Sequence, residues 1–228
     1  MGDAEVRAYA DAFTRHVDGV LGELSVRLEK MPGAFPSALH NDLAAVVRAT
    51  ADIRQRGDDV RILQEAGTVR TRFHGDYHLG QVIRGNQVGP DGSEWYILDY
   101  EGEPARPLDE RRAKGSVLRD VAGMLRSFNY AVRVALKEDR TEDYRTRMSL
   151  ERWAAAWERE ARALFLNSYR ATVAGSPVVP ADADAFARAL AVFELEKAVY
   201  ELGYEMNNRP DWIWVPLEGV RSILGGGA

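Results

Sequence analysis

Two short stretches of the chain carry the residue types that phosphoryl transfer needs. His74-Gly75-Asp76-Tyr77-His78-Leu79-Gly80-Gln81 has the form H-x-D-x-x-x-x-Q, and Ile97-Leu98-Asp99-Tyr100-Glu101-Gly102-Glu103-Pro104 reads as the end of a strand followed by an acidic loop. In kinases, an Asp in the first position faces the accepting hydroxyl. An amide further along and a second Asp hold magnesium on the nucleotide phosphates. Asp76 is therefore the candidate general base, a role worth about 10²–10⁴-fold in rate. Gln81 offers a carbonyl oxygen and Asp99 a carboxylate, hard ligands of the kind magnesium takes. Taken alone, H-x-D also describes an Asp that merely ties down a turn; Gln81 and Asp99 together favour the catalytic reading. His74 and His78 are an alternative zinc pair. In a chain with four histidines and no cysteine, His74 reads better as a hydrogen-bonding brace of the loop.

Further candidates lie downstream. Glu101 and Glu103 are placed to reach a second metal or a sugar hydroxyl, or else are solvated loop charges. Arg106, Arg111, Arg112, Lys114 and Arg119 make a basic run whose default is exposed charge. Asp120, next to Arg119 and inside a helix, has the place from which a kinase Asp accepts hydrogen bonds from the catalytic-loop backbone.

These residues need elements to hold them. Apolar residues recur at three- and four-residue steps over 5–28, predicting a long amphipathic helix closed by Met31-Pro32-Gly33, and a second helix is expected over 37–54. Short strands are expected over 69–73, 82–84 and 95–98, with a turn-rich connection over 85–93, so that a hairpin carries candidate residues at both ends. Beyond Pro107 the pattern is helical again. One helix opens at Ser116 as N-cap, one runs from Leu150 to Tyr169, one runs from Asp182 to Asn208, and a short one lies between Leu217 and Leu224. The glycines 225–227 form a loose tail.

With 228 residues, 46% of them hydrophobic, the chain can bury a sizeable core. Its net charge of −5 argues against nucleic acid or an anionic membrane as main partner. The absence of cysteine excludes disulfides and thiolate chemistry. Charged residues are scattered through the first twenty positions and no apolar run has the length of a membrane span, so the chain reads as cytoplasmic.

The two stretches above, together with Leu118-Arg119-Asp120-Val121-Ala122-Gly123-Met124-Leu125-Arg126-Ser127-Phe128, resemble the bacterial maltokinases. That family is grouped with the aminoglycoside-phosphotransferase-like kinases and is often fused to trehalose synthase. Glu194 to Glu205, with Asn208-Arg209-Pro210-Asp211-Trp212, is similar to the family's C-terminal end. The resemblance implies magnesium-dependent transfer of the γ-phosphate of ATP to the anomeric hydroxyl of maltose, giving maltose 1-phosphate and ADP. It maps the base to Asp76, the metal ligands to Gln81 and Asp99, and supporting roles to His74, Arg119 and Asp120. It makes Tyr200, Glu201, Tyr204 and Trp212 candidate walls of the sugar site, with ordinary helix packing as their alternative. The glucosamine kinases resemble the same pattern. The notion that they carry Asp and Asn where this chain has Glu101 and Glu103 turns Glu-Gly-Glu-Pro into an argument for maltose.

A nucleotide-binding lobe with a glycine-rich loop and a strand lysine is not visible before His74. The expectation is a mainly α fold with a small β-hairpin, a protein-kinase-like C-terminal lobe lacking its N-terminal lobe. It would form one unit over 1–224, with leading helices over 1–67, the catalytic loop and metal-binding hairpin over 68–104, a helical substrate-binding part over 115–224 and a tail over 225–228. A trehalose synthase or a separate N-terminal lobe is then a partner. The alternative is a carbohydrate-binding or scaffolding lobe that needs a partner for the nucleotide, or a related aminosugar kinase.

Overall fold

A computed structural model describes residues 1–31, 33–85, 94–104, 107–139 and 143–225. The expected helix stop at Pro32, the turn over 86–93, Arg106 and the tail glycines Gly226 and Gly227 lie outside the described residues. In chain order the elements are α1 (Asp3–Lys30), α2 (His40–Arg48), α3 (Thr50–Gly57), α4 (Arg61–Glu65), β1 (Val82–Arg84), β2 (Trp95–Ile97), α5 (Leu108–Arg112), α6 (Leu118–Glu138), α7 (Tyr144–Thr172), α8 (Ala183–Asn208) and α9 (Trp214–Leu224). The chain packs as two compact units, Met1–Val69 with Val179–Ala228, and Arg70–Val178.

The first unit is built on apolar spacing. Phe13, Val17, Leu21 and Leu24 line one face of α1, and Leu195, Val199, Leu202 and Met206 line α8; with Leu43, Ile53, Ile213 and Leu217 they form one buried cluster. Each fully buried Leu or Ile of this kind contributes about 1.5–3 kcal/mol. Polar ends are tied off locally. Asp182 caps α8 by accepting from Ala185 N–H at 2.8 Å. Asn207 and Asn208 donate to the carbonyls of Gly203 and Tyr204 at 3.0 and 2.8 Å, which stops α8 before Pro210. The single helix expected over 37–54 is divided at Ala49, where φ −81° and ψ 8° leave the helical region. The Thr50 hydroxyl donates to Val47 O at 2.6 Å there, a local bond that competes with the helical ladder.

The second unit holds the hairpin and two long helices. β1 and β2 pair antiparallel, with Val82 opposite Ile97, Ile83 opposite Tyr96 and Arg84 opposite Trp95. The strand expected over 69–73 is reduced to one bridge between Thr71 and Gly115. The partner chain turns into α6 directly after Gly115, so no extended segment is there to continue the ladder. Helix α5 falls on the stretch that reads in sequence as a bare basic run. Helix α6 begins after Val117 rather than Ser116, whose hydroxyl accepts from Leu118 N–H at 3.3 Å. An apolar groove of about 540 Å³ lies between α6 and α7, lined by Val132, Leu136, Leu150, Trp153 and Trp157 among others. None of the candidate site residues lines it. No described helix is long and apolar enough to cross a membrane.

Candidate active site

The H-G-D turn can form because Gly75 adopts φ +88°, a conformation in which a side chain is strained. Gly102, at φ +78°, meets it from the acidic loop: a Cβ on Gly75 would lie 3.2 Å from the Gly102 Cα. The two loops thus touch backbone to backbone. Asp99 also has positive φ, +60°, alone among the described non-glycine residues. Asp tolerates this left-handed region at a cost of about 1–2 kcal/mol, and such strain gathers at functional sites.

Gln81 and Asp99 come together at the two ends of the hairpin. Gln81 Nε2 donates to Asp99 Oδ2 at 3.1 Å; its backbone N–H donates to His78 O at 2.9 Å in the turn before β1, and its carbonyl accepts from Leu98 N–H at 2.9 Å across the hairpin. His74 bridges the two loops. Its Nδ1 accepts from Asp76 N–H at 3.3 Å and its Nε2 lies 2.6 Å from Leu98 O. With Nδ1 accepting, Nε2 carries the proton and donates to that carbonyl. The residue before one candidate metal ligand is thereby tied to the backbone of the candidate base. The imidazole lies between the rings of Tyr77 and Tyr100, at centroid distances of 5.6 and 4.9 Å.

Asp120 accepts from His74 N–H at 2.7 Å and Gly75 N–H at 2.9 Å. Burial pushes its carboxyl above the ordinary value, and the two amides, His74 and Arg119 pull the other way without cancelling it. Burial likewise raises the Tyr77 hydroxyl, helped by Tyr100 and Asp120. Tyr169 of α7 is pushed up to about 12 by burial and by the Asp120 charge. Arg119 stacks over the Phe73 ring at 6.0 Å. The Glu101 backbone carbonyl accepts from Arg111 at 3.3 Å, while the residue itself is exposed and Glu103 is half-buried. His78 Nε2 stands 3.8 Å from Asp76 Oδ2, with its Nδ1 accepting from Gly80 N–H at 3.0 Å.

The donor chemistry fits a magnesium ion. The Gln81 atom that meets Asp99 is the amide nitrogen, so the amide oxygen and the Asp99 carboxylate would be the ligating atoms; among the described residues no three His, Cys, Asp or Glu side chains gather around one point. A cation held by Gln81 and Asp99 would complete its shell with water and phosphate oxygens, as magnesium does.

Tyr200, Glu201, Tyr204 and Trp212 belong to the other unit. Tyr200 stacks on His16 at 6.3 Å, with Lys197 Nζ 5.0 Å from its ring. Glu201 is 8% exposed. Tyr204 and Trp212 flank the Arg209 guanidinium at 5.6 and 5.7 Å, and Glu205 grips that guanidinium at 3.0 and 2.6 Å. Sequence reading missed Arg209 and Glu205 as members of this group, although their i, i+4 spacing on a helix end signals the pair. It also missed Tyr100 and the Leu98 carbonyl, for which no sequence signal exists.

The architecture is shared with solved glucosamine kinases. No family model matches the chain. It is 30% identical over 197 residues to a glucosamine kinase of Streptacidiphilus jiangxiensis, covering 86% of this chain and 40% of that protein. It is 27% identical over 197 residues to a glucosamine kinase of Mycolicibacterium smegmatis, covering 86% and 42%. A solved glucosamine kinase in complex with glucosamine, ADP and inorganic phosphate superposes with a TM-score of 0.68 at 27% identity, over 97% of this chain and 45% of that one. The chain therefore spans about 40% of the length of the curated relatives it matches.

These findings correct the maltokinase resemblance and the kinase C-terminal-lobe fold drawn from it: the matched proteins and the matched architecture are those of glucosamine kinases. Maltose as acceptor, maltose 1-phosphate as product and the link to trehalose synthase go with it. The reason is physical. The motifs that carried the resemblance are of the kind expected to hold phosphate, metal and loop backbone, none of which distinguishes one sugar from another. Of the two loop glutamates given the deciding vote, Glu101 is exposed and its backbone carbonyl accepts from Arg111.

Proposed function

We propose that the chain is part of an aminosugar kinase, transferring the γ-phosphoryl group of ATP to a hydroxyl of glucosamine. The observation that carries this reading is the Gln81–Asp99 contact at 3.1 Å, tied through His74 to the loop of Asp76. The matched glucosamine kinases supply the substrate class. In this reading the Asp76 carboxylate accepts the proton of the sugar hydroxyl as that oxygen bonds to the γ-phosphorus, and the bond from phosphorus to the β–γ bridging oxygen breaks to release ADP. Gln81 and Asp99 hold magnesium, which when bound neutralises charge on the phosphates. His74 holds the Asp76 amide, and Asp120, with Arg119 beside it, anchors the loop backbone. Glu101 and Glu103 remain candidates for a sugar hydroxyl.

The test is ADP release coupled to a spectrophotometric readout, with magnesium, ATP and either glucosamine or maltose. Glucosamine-dependent release, lost in Asp76→Asn, is the expected result. Release driven by maltose and not by glucosamine would refute the aminosugar reading.

A further inference from the structure

Helix α6 meets the loop that carries Asp76 at three places along one face. Asp120 takes the N–H groups of His74 and Gly75, as described. One turn on, a Cβ built at Gly123 would lie 2.5 Å from the Tyr77 carbonyl oxygen, so helix and loop backbone are in contact there with no room for a side chain. Another turn on, the Ser127 hydroxyl accepts from Leu79 N–H at 3.1 Å and donates to Met124 O at 2.8 Å. Donation to Met124 uses the one hydroxyl proton, so toward Leu79 the oxygen acts purely as acceptor. Positions 120, 123 and 127 are spaced by three and four and so share a helix face. The loop is gripped before Asp76 by Asp120, just after it by contact with Gly123, and again at Leu79 by Ser127. The Asp76 amide itself makes a longer bond, 3.3 Å, to His74 Nδ1.

We propose that Gly123 and Ser127 are positioning residues for phosphoryl transfer. With Asp120 they make α6 a rail that sets the register of the catalytic loop and so the stance of the Asp76 carboxylate toward the acceptor hydroxyl. The inference rests on the aminosugar-kinase reading. A methyl at 123 displaces a backbone atom rather than a movable side chain, by about 0.5 Å before even the 3.0 Å floor for such contacts is reached. Misplacement on the order of 1 Å costs about 10²-fold in rate. Loss of the Ser127 acceptor leaves the loop gripped at Asp120 and Gly123 and released beyond them.

The test measures kcat and KM for glucosamine, and amide hydrogen exchange over 74–79, in the unaltered protein and in Ser127→Ala, Ser127→Thr and Gly123→Ala. Ser127→Ala is expected to lower kcat roughly tenfold with KM within about twofold, and to speed exchange at Leu79. Ser127→Thr, which keeps the hydroxyl, restores both. Gly123→Ala lowers kcat by about 10²-fold. The serine pair carries the test if the glycine variant fails to fold. Unchanged kcat in Ser127→Ala, or failure of Ser127→Thr to recover it, overturns the rail while leaving the sugar-kinase reading intact. Absence of glucosamine-dependent turnover in the unaltered protein sinks that reading and the rail with it.

Discussion

Asp76 is half-buried on a loop whose neighbours are held by backbone hydrogen bonds, so changing its side chain leaves the fold's attachments in place. Asp76→Asn should lower kcat by about 10²–10⁴-fold, with glucosamine affinity by calorimetry nearly unchanged; an undiminished kcat would remove Asp76 from the base role. Tyr169 gives a prediction on stability. Its hydroxyl is raised from 10.0 to about 12 by burial and by the Asp120 charge. Between those values the folded protein keeps a proton that the unfolded chain has released. The stability tied to this group is therefore fully present below pH 10 and is lost as pH rises toward about 12. Urea midpoints measured through that window should fall steeply in the unaltered protein and less steeply in Tyr169→Phe. Part of the slope should persist, because Tyr77 shifts the same way. Equal slopes would mean that Tyr169 titrates as in the open chain. At this scale the meeting of Gln81 with Asp99 and the hold of Asp120 on the loop amides were legible from residue type and spacing. The Tyr100 ring on His74 and the Leu98 carbonyl beneath it were not, since a ring contact and a backbone acceptor leave no mark in sequence.

Among the elements, α1 and α8 supply most of the core of the first unit, and their apolar periodicity made them readable in advance within a few residues. Where sequence and structure part, hydrogen bonding decides. The break at Ala49 follows from the Thr50 hydroxyl taking a helix carbonyl, and the strand over 69–73 fails for want of a partner beyond Gly115. Leu202 is fully buried at 0% exposure in the α8 face of that core. Leu202→Ala should cost about 2–5 kcal/mol in denaturant unfolding; a loss under about 1 kcal/mol would mean that the cluster can collapse around the gap. Gly57 tests packing in the opposite sense. A Cβ there would sit 2.4 Å from Phe13 Cδ1, inside the same core. Gly57→Ala gains helix propensity but overpacks the ring, and the net expected is a loss of about 1–3 kcal/mol. A rise in the thermal midpoint would show that Phe13 moves aside freely.

For the molecule as a whole, the acceptor of the proposed reaction was the least legible feature. Phosphate and metal are recognised by short motifs, whereas a pyranose is recognised by side chains gathered from distant parts of the chain. Tyr204, Trp212, Arg209 and Glu205 come together only after α8 and the turn at Pro210 have folded. The chain spans about 40% of its curated relatives, and the transfer of an aminosugar-kinase activity to it stands on the site geometry joined to that likeness. The decisive measurement is magnesium- and ATP-dependent ADP release, with glucosamine and maltose compared side by side and Asp76→Asn as control. Release with glucosamine that falls by about 10²-fold or more in the variant is the predicted result. No glucosamine-dependent release, or release that Asp76→Asn leaves untouched, would contradict the account.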